Sequence, residues 1–428
     1  MKGKRLFVLS IDSLVDEDMA FAATLPALGQ MMRDGAHVRH VLATYPTLTY
    51  PVHASIITGV SPARHGVYHN EIPVVGRREN DWFWYRKDMH ATTVLDAARA
   101  KGMSTGAVFW ATLGGDGADY VIPELRVPTD EATQRAVFAS GTTPLLMDTV
   151  YEKRRAILDG NRQDNFDRFS CACIEDVIRL YKPEVMFCHL QLVDHWRHAV
   201  GVQGEEVRSA VRACDGYLSR MIAALKDAGV YEYTNLFVVS DHGHLPVRRH
   251  VALNAHFVDE GLITLNDDGE IVDWQAYCHG ASLSAQVHLA EPGSPKLLAR
   301  VESVLRAMAT DPRFGIERVF TAEEARRSFG LAGPFSFVLE ATGGTYFKTG
   351  WNGPVERVLT PDQQGGSHGH LPTKGMQPVL IACGPDIRRG ACIERASVLD
   401  EAPTFAELLG LSMPGLEGRV LHKLLNDA

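Results

Sequence analysis

The sequence predicts an α/β fold: a mostly parallel central sheet with helices on both faces, together with a smaller inserted α+β subdomain. Apolar runs of strand length recur along the chain, and helical patterns stand between them. This alternation is typical of parallel sheets covered by helices. Across residues 246–365 it gives way to strand-like pieces, one helical pattern and glycine-rich turns, which predicts the insertion. We therefore expect a core formed by residues 1–245 and 366–428.

The first predicted strand, residues 5–11, is mostly apolar and suits the centre of a parallel sheet. A short helix follows, with Thr24 as its cap, Pro26 in its first turn and Gly35 at its end. The clearest helix spans residues 207–225, where apolar side chains recur at three- and four-residue steps. Other predicted elements are core strands at 185–190, 236–240 and 378–383, and, in the insertion, strands near 282–290 and 336–341 and a helix near 295–309.

Composition limits the class of protein. The chain has 428 residues, 45% of them hydrophobic and 22% charged, as in ordinary globular proteins. Its net charge of −9 argues against nucleic acid or an anionic membrane as a partner, and no apolar run approaches the ~18 residues of a membrane-spanning helix. The first residues predict a strand rather than a signal peptide, so we expect a cytoplasmic protein. The seven cysteines, an odd number, are expected to be buried free thiols.

Residues able to bind metal ions follow three of the predicted strands. Asp12 comes after the first strand, and the pair Asp241 and His242 ends another. Asp194 lies shortly after a third strand and four residues before His198, so that on a helix both side chains share one face. Ligands of open parallel sheets bind beyond the carboxyl ends of the strands, which would bring these residues together. Taken singly, each of them also fits an ordinary polar turn or helix cap.

Thr49 stands at or next to the start of a helix, because Pro51 suits a first turn and mostly small or apolar residues follow it. The exposed amides of a helix N-terminus favour anions, and a hydroxyl there could lose its proton to a metal and attack phosphorus. A plain Thr N-cap is the commoner interpretation of such a site. His368, in a glycine-flanked loop, completes the candidates, although His370 competes with it. Nothing in the sequence distinguishes His244 from a surface histidine.

In this order, the set resembles the active-site residues of the alkaline phosphatase superfamily, most closely its nucleotide pyrophosphatase/phosphodiesterase branch. The best segment is residues 45–70, YPTLTYPVHASIITGVSPARHGVYHN, which is similar to the nucleophile region of that branch. The resemblance implies two divalent metal ions, zinc in this family, bridged by Thr49. It also implies that Asn70 donates to a phosphoryl oxygen and that Tyr50 lines the leaving-group side. The metal ligands that it implies are Asp12, Asp241 and His242 for one ion, and Asp194, His198 and His368 for the other.

Several positions depart from the pattern of that branch. Arg197 stands where a glycine is usual, and Val52 where an asparagine is usual. His189 occupies the position of a tyrosine that contacts the base of a nucleotide. These departures leave the metal ligands intact but do not favour a nucleotide as the substrate.

The resulting hypothesis is a two-metal phosphoester hydrolase, most closely a phosphodiesterase or nucleotide pyrophosphatase. In it, Thr49 forms a phosphothreonine intermediate from a small phosphorylated substrate. The open alternatives are a phosphonate hydrolase of the phosphonoacetate hydrolase type and a phosphomonoesterase of a small metabolite. A non-catalytic protein that keeps a metal for structure fits less well, because structural zinc sites are closed and single. The sequence does not predict an oligomeric state.

Overall fold

The computed structural model describes residues 4–77, 79–125, 131–158 and 163–426. Its strands are β1 Arg5–Ile11, β2 Ala36–Leu42, β3 Thr105–Val108, β4 Tyr120–Ile122, β5 Val185–Leu190, β6 Thr234–Val239, β7 Leu245–Ala252, β8 Ile263–Leu265, β9 Ile271–Trp274, β10 Ala276–Ala281, β11 Ser284–Leu289, β12 Ile316–Thr321, β13 Phe337–Ala341, β14 Gly344–Lys348, β15 Glu356–Val358, β16 Gly365–Ser367, β17 Leu380–Cys383 and β18 Cys392–Ser397. Its α-helices are α1 Met19–Ala22, α2 Pro26–Asp34, α3 Thr49–Thr58, α4 Pro62–His65, α5 Val94–Ala100, α6 Glu131–Ala139, α7 Pro144–Leu146, α8 Glu152–Arg154, α9 Gln163–Tyr181, α10 Leu192–Val200, α11 Glu205–Asp227, α12 Leu253–Asp259, α13 Pro295–Thr310, α14 Ala322–Phe329 and α15 Glu401–Leu409.

A central sheet of eight strands has the order β18-β2-β17-β6-β1-β5-β3-β4. Neighbouring strands are parallel except at β17, which runs antiparallel to both β2 and β6. Strand β1 lies between β5 and β6, and all but its first residue are buried, as its apolar run predicts. The predicted fold class, a mostly parallel α/β sheet, is confirmed.

Helices cover both faces of this sheet. On one face α11 packs against α2 and α9 over a hydrophobic cluster that includes Leu9 and Leu218. On the other face α3, α5 and α15 contact one another over a second cluster that includes Val8, Ile56 and Phe405. Val8 and Leu9 are neighbours whose side chains point to opposite faces, so β1 is buried on both sides, as parallel strands usually are.

Helix α2 has the predicted bounds but a different cap. Thr24 does not cap it, because its hydroxyl donates to the carbonyl of Phe21. The amides of Ala27 and Leu28 donate instead to the carboxylate of Asp215, which lies on α11. A charged acceptor on a neighbouring helix has thus replaced the local hydroxyl.

The remaining element predictions largely hold. The long helix is α11, the three further core strands are β5, β6 and β17, and the predicted pieces of the insertion are β11, α13 and β13. Six cysteines are buried free thiols as predicted, but Cys392 is an exposed free thiol. It lies on β18, an edge strand, where alternate side chains face solvent. Within the described ranges, every helix is too short or too polar to cross a membrane.

Residues 245–367 form three further sheets. One has the antiparallel order β10-β11-β13-β12, a second joins β14, β7 and β15 with β16 along β7, and a third is the pair β8-β9. A separate hydrophobic cluster, which includes Phe257, Leu305 and Leu339, lies among these elements. The predicted boundaries of the insertion, residues 246 and 365, stay a prediction. Strands β7 and β16 lie at these two positions and pair with each other.

Candidate active site

The carboxyl ends of β1 and β6 carry two carboxylates. Asp12 directly follows β1, and its amide donates to Leu190 at the end of β5. The next residue, Ser13, turns the chain with a positive φ of 61°, and its amide donates to Asp241 Oδ1 at 3.1 Å. Asp241 follows β6 after a single residue. The turn at Ser13 therefore fixes the carboxylate of Asp241 beside that of Asp12.

His242 lies between these carboxylates and Thr49. Its Nε2 is 3.1 Å from Asp241 Oδ2, 3.6 Å from Asp12 Oδ1 and 3.2 Å from Thr49 Oγ1. Among the described residues, neither Asp12 Oδ1 nor Asp241 Oδ2 has a hydrogen-bond partner, and both oxygens are buried. Gly243 is required here because a Cβ would clash with the carbonyl oxygen of Met376. Two orphaned carboxylate oxygens, an imidazole nitrogen and a hydroxyl thus converge, which is a donor set that suits a divalent cation.

Thr49 is the first residue of α3, as predicted, and its side chain is nearly buried. Its carbonyl accepts from His53 Nδ1 at 2.8 Å, while His53 Nε2 accepts from Ser10 Oγ on β1 at 2.9 Å. His53, which the sequence did not single out, therefore fastens the first turn of α3 to the central strand. This contact holds the hydroxyl of Thr49 at the edge where the ligands converge.

Asn70 and Tyr50 are neighbours in space. The amide of Tyr50 donates to Asn70 Oδ1 at 2.9 Å, which leaves the amide nitrogen of the Asn70 side chain for another acceptor. The Tyr50 hydroxyl donates to Glu124 at 3.1 Å, and its ring packs edge-on against Trp82. The Tyr50 side chain is only 1% exposed. Its predicted contact with a leaving group stays a prediction that this burial does not favour.

Helix α10 and the loop after β16 bring together a second group of ligands. Asp194 and His198 are one turn apart on α10, with His198 Nε2 3.5 Å from Asp194 Oδ1. His368 Nε2 lies 3.7 Å from the same oxygen. The Nδ1 atoms of the two histidines donate to the carbonyls of Gly366 and Thr47, at 2.9 Å each. Those bonds fix the ring orientations and leave each Nε2 free as a ligand atom, a common arrangement around metal sites.

All the predicted metal ligands meet at this edge of the sheet. Among the described residues, two groups place their ligand atoms within 4.8 Å of one another, and they share Asp194. The shared carboxylate makes the two centres adjacent. The groups are Asp194, His198, His244 and His368, and Asp12, Asp194 and His242.

His244 is the ligand candidate that the sequence analysis missed. It is buried, and its Nε2 lies 2.7 Å from Asp194 Oδ1. Its partner is fifty residues away in the chain, so only tertiary structure brings the two together. The spacing of two residues after His242 was the available signal, and it is a weak one.

Burial and mutual repulsion perturb the carboxylates of the site. Burial, reinforced by the charges of Asp241 and Asp194, raises the pKa of Asp12 well above its usual value. Burial also raises the pKa of Asp241 to about 7. Burial alone would raise the pKa of Asp194, but the neighbouring His198, His244 and His368 hold it well below its usual value. A bound cation would relieve the repulsion between the first two carboxylates.

The histidines are held in the form that binds metals. Burial lowers the pKa of His242 and of His244 well below the usual value, and that of His368 to about 4. They are therefore neutral near pH 7, which is the state a metal ligand needs. On the donor types, the orphaned oxygens and the neutral imidazoles, the residues fit two adjacent divalent ions.

Two departures from the expected sequence pattern have structural roles. His189 is fully buried, with Nε2 3.2 Å from Asp12 Oδ2 and Nδ1 2.8 Å from Glu124 Oε2. Burial lowers the pKa of His189, but these carboxylates overcome that effect and raise it well above its usual value. Arg197, also fully buried, donates to the Ser13 carbonyl and pairs with Asp18. Neither side chain is free to contact a substrate, and both brace the residues around Asp12.

Comparison with known proteins defines the class. The family model described as Type I phosphodiesterase / nucleotide pyrophosphatase matches residues 6–370, and the chain belongs to that family. It is 23% identical over 247 residues to the rat ectonucleotide pyrophosphatase/phosphodiesterase family member 1, and 22% identical over 247 residues to the human one. A venom phosphodiesterase of Macrovipera lebetinus is 23% identical over 221 residues.

The matched stretch covers 55% of this chain and 23% of the length of the rat and human relatives. For the venom protein the corresponding values are 51% and 23%. Among solved structures, murine ectonucleotide pyrophosphatase/phosphodiesterase 5 has a TM-score of 0.69 at 21% identity, over 99% of this chain and 100% of that one. An inactive variant of that murine protein in complex with AMP has the same TM-score. At this identity the structural likeness establishes the fold.

Proposed function

We propose that the protein is a metal-dependent phosphoric ester hydrolase that acts on phosphodiesters or pyrophosphates of the nucleotide type. One observation carries the proposal. At the start of α3, the Thr49 hydroxyl lies 3.2 Å from His242 Nε2. Beside it are buried carboxylate oxygens of Asp12 and Asp241 that have no hydrogen-bond partner within the part of the chain that the structure describes. A nucleophile and unsatisfied metal ligands at one helix N-terminus suit phosphoryl transfer.

We assign the converging ligands to two ion positions. Asp12, Asp241 and His242, with the Thr49 hydroxyl, would hold one ion. The other would be held at the end of α10 by Asp194, His198 and His368. Nitrogen and oxygen donors of this kind suit zinc. Two adjacent ions would supply positive charge to the phosphoryl oxygens and favour ionisation of a hydroxyl.

In the proposed reaction Thr49 Oγ1 attacks phosphorus. A bond forms between this oxygen and phosphorus, the bond from phosphorus to the leaving oxygen breaks, and the leaving group takes up a proton. Water then cleaves the phosphothreonine and returns the hydroxyl of Thr49. Asn70, whose Oδ1 accepts from the Tyr50 amide, would donate its side-chain N–H to a phosphoryl oxygen. Two displacements at phosphorus predict retention of configuration.

The substrate class rests on the family and on relatives whose names refer to nucleotide pyrophosphatase and phosphodiesterase activity. A small dianionic substrate would need free lysine side chains near the phosphoryl group, and a nucleotide base would need an aromatic slot. Lys374 is held in ion pairs with Glu317 and Glu340, so its charge is not free for a dianionic substrate. Phe109 and Trp110 are buried and do not form an aromatic slot for a base. A phosphonate hydrolase and a phosphomonoesterase remain the alternatives to be tested.

The first experiment measures metal content together with hydrolysis of p-nitrophenyl esters: a phosphodiester, a nucleotidyl ester, a phosphomonoester and a phosphonate. We expect two ions per chain and a preference for the diester or nucleotidyl ester. Preference for the phosphonate or the monoester would replace the proposed substrate class. Absence of both metal and turnover would contradict the proposal as a whole.

Replacing the nucleophile gives a sharper test. Thr49→Ala should lower kcat/KM by at least about 10³-fold, because no other hydroxyl takes its place. It should still bind metal, since the carboxylate and imidazole ligands remain. Thr58→Ala, at the other end of α3, removes a hydroxyl that donates to the Ala54 carbonyl and serves as the matched control. Full activity of Thr49→Ala would exclude the phosphothreonine intermediate.

A further inference from the structure

We propose that His244 is a fourth protein ligand of the metal ion at Asp194, His198 and His368. This ion would then have four protein ligands, the same number that the ion at Asp12 has when the Thr49 hydroxyl is included. The inference rests on the two-metal site of the proposed function. It assigns a role to a histidine that no comparison identifies.

The position of His244 is the first argument. Its ring lies 4.5 Å from the ring of His198 and 5.1 Å from that of His368, between centroids. The three imidazoles and the Asp194 carboxylate therefore surround one point. One ligand atom from each of the four residues lies within 4.8 Å of the others.

Distances to Asp194 Oδ1 are the second argument. Two ligands of a tetrahedral zinc ion, each bound at about 2.0–2.1 Å, lie about 3.3–3.4 Å apart. The separations from this oxygen are 3.5 Å for His198 Nε2 and 3.7 Å for His368 Nε2, close to that edge length. For His244 Nε2 the separation is 2.7 Å, so the pair must open by about 0.6 Å, within the reach of small side-chain rotations.

The environment of His244 is the third argument. The residue is 1% exposed, although nothing in the sequence distinguishes it from a surface histidine. Among the described residues its Nδ1 has no hydrogen-bond partner, so the polar contact of the ring is made through Nε2, which points at Asp194. A buried imidazole that directs one nitrogen at a carboxylate among other histidines can serve as a metal ligand or as a donor to that carboxylate, and the experiment below separates the two roles.

Four protein ligands have a consequence for metal retention. Without His244 the ion near Asp194 would have three protein ligands and an additional open position, and it would be bound less tightly. Loss of His244 should therefore speed dissociation of the ion near Asp194 and leave the ion near Asp12 unchanged.

The test is a chelator competition with Zn²⁺, repeated with Co²⁺ to report coordination through visible absorption. His244→Ala should weaken one of the two sites by about 100-fold or more and change the Co²⁺ spectrum, while the other site is unaltered. His244→Gln keeps an N–H that can donate to Asp194 but lacks the imidazole, so it should behave like His244→Ala. His250→Ala, which removes a half-buried histidine from β7, is the matched control.

Each result has a defined meaning. Recovery of the original affinity in His244→Gln would show that His244 only donates a hydrogen bond to Asp194, and would overturn the proposal. An affinity of His244→Ala within about threefold of the unaltered protein, with an unchanged Co²⁺ spectrum, would overturn it as well. Two ions in the unaltered protein alongside either result would leave the proposed function standing. No metal in the unaltered protein would overturn both.

Discussion

Asp194 is the residue at which the two ion positions meet. Its carboxylate lies close to the imidazoles of His198, His244 and His368. It is also within 4.8 Å of the ligand atoms of Asp12 and His242. Burial works against its ionisation, yet the neighbouring imidazoles hold its pKa well below the usual value. Burial raises the pKa of both carboxyls, but imidazoles outweigh it at Asp194, whereas neighbouring carboxylates reinforce it at Asp12.

Buried histidines also affect stability, and His65 allows this to be measured. Its Nδ1 accepts from the Val67 amide, its Nε2 donates to Ser55 Oγ, and burial lowers its pKa to about 3. The unfolded chain binds a proton on this histidine near pH 6.5, while the folded protein does not. The stabilisation is therefore fully present above pH 6.5 and is lost as pH falls below that value.

We expect the unaltered protein to lose about 2 kcal/mol more unfolding free energy than His65→Gln between pH 7.5 and pH 5. Urea unfolding in the presence of a chelator measures this without a contribution from metal binding. His422→Gln, which removes an exposed histidine, is run alongside. Parallel pH profiles for the unaltered protein and His65→Gln would contradict the assignment.

Among individual residues, the sequence predicted those whose position at the end of a strand or the start of a helix indicates a role. Asp12 and Asp241 could be found because each follows an apolar strand, and Thr49 because a proline marks the helix start. His244 and the pair His189–Glu124 could not, because their partners are 50 and 65 residues away. No local pattern distinguishes a histidine that will be buried against a distant carboxylate from one that will face solvent.

Among the elements, α2 shows how a helix end can depend on its neighbour. The amides of Ala27 and Leu28 lie 3.0 and 2.7 Å from Asp215 Oδ1, and Asp215 is buried on α11. This carboxylate satisfies two of the free N–H groups at the start of α2 and suits the positive end of its dipole.

Asp215→Ala should therefore lower the free energy of unfolding by about 1–3 kcal/mol, because buried amides lose a charged acceptor. Thr24→Ala, at the cap that the sequence predicted, should change it by less than about 0.5 kcal/mol. Urea unfolding of both variants at one metal concentration compares them directly. A larger effect of Thr24→Ala would restore the local hydroxyl as the cap.

Strands, like single residues, could be predicted where the local sequence shows their surroundings and not where distant partners decide them. The apolar runs that became β1, β5 and β6 were predicted because a strand buried on both faces needs apolar side chains throughout. Strands β2 and β18 carry charged and half-exposed residues, and β3 and β4 are only four and three residues long, so none was predicted. The antiparallel direction of β17 is set by its pairing with β2 and β6, which no local pattern shows.

At the scale of the whole molecule, the metal ligands join elements that are far apart in the chain. They come from the end of β1, the start of α3, α10, the segment after β6 and the loop after β16. Ions that bind only when these elements are assembled stabilise the fold by mass action, by about 2.7 kcal/mol for each ion present at 100 times its Kd. Metal removal should therefore lower the Tm.

The loss should also depend on pH, with a sign set by Asp12 and Asp241. Burial raises the pKa of both carboxyls, that of Asp241 to about 7 from an unfolded value near 3.8. In the metal-free protein the contribution of Asp241 to stability is fully present below pH 3.8 and is lost as pH rises through 7, and the raised pKa of Asp12 acts in the same direction. A metal ion must displace the proton of Asp241 at pH 6 but not at pH 8.

The difference in Tm between metal-loaded and metal-free protein should therefore be larger at pH 8 than at pH 6. Groups away from the ions cancel in this difference, such as Asp167, whose pKa burial raises to about 6. Calorimetry of the zinc-loaded and chelator-treated protein at the two pH values, with free zinc buffered at one concentration, measures it. An equal or smaller difference at pH 8 would mean that neither Asp12 nor Asp241 gives up a proton to the ion, and would contradict the ligands proposed for that site.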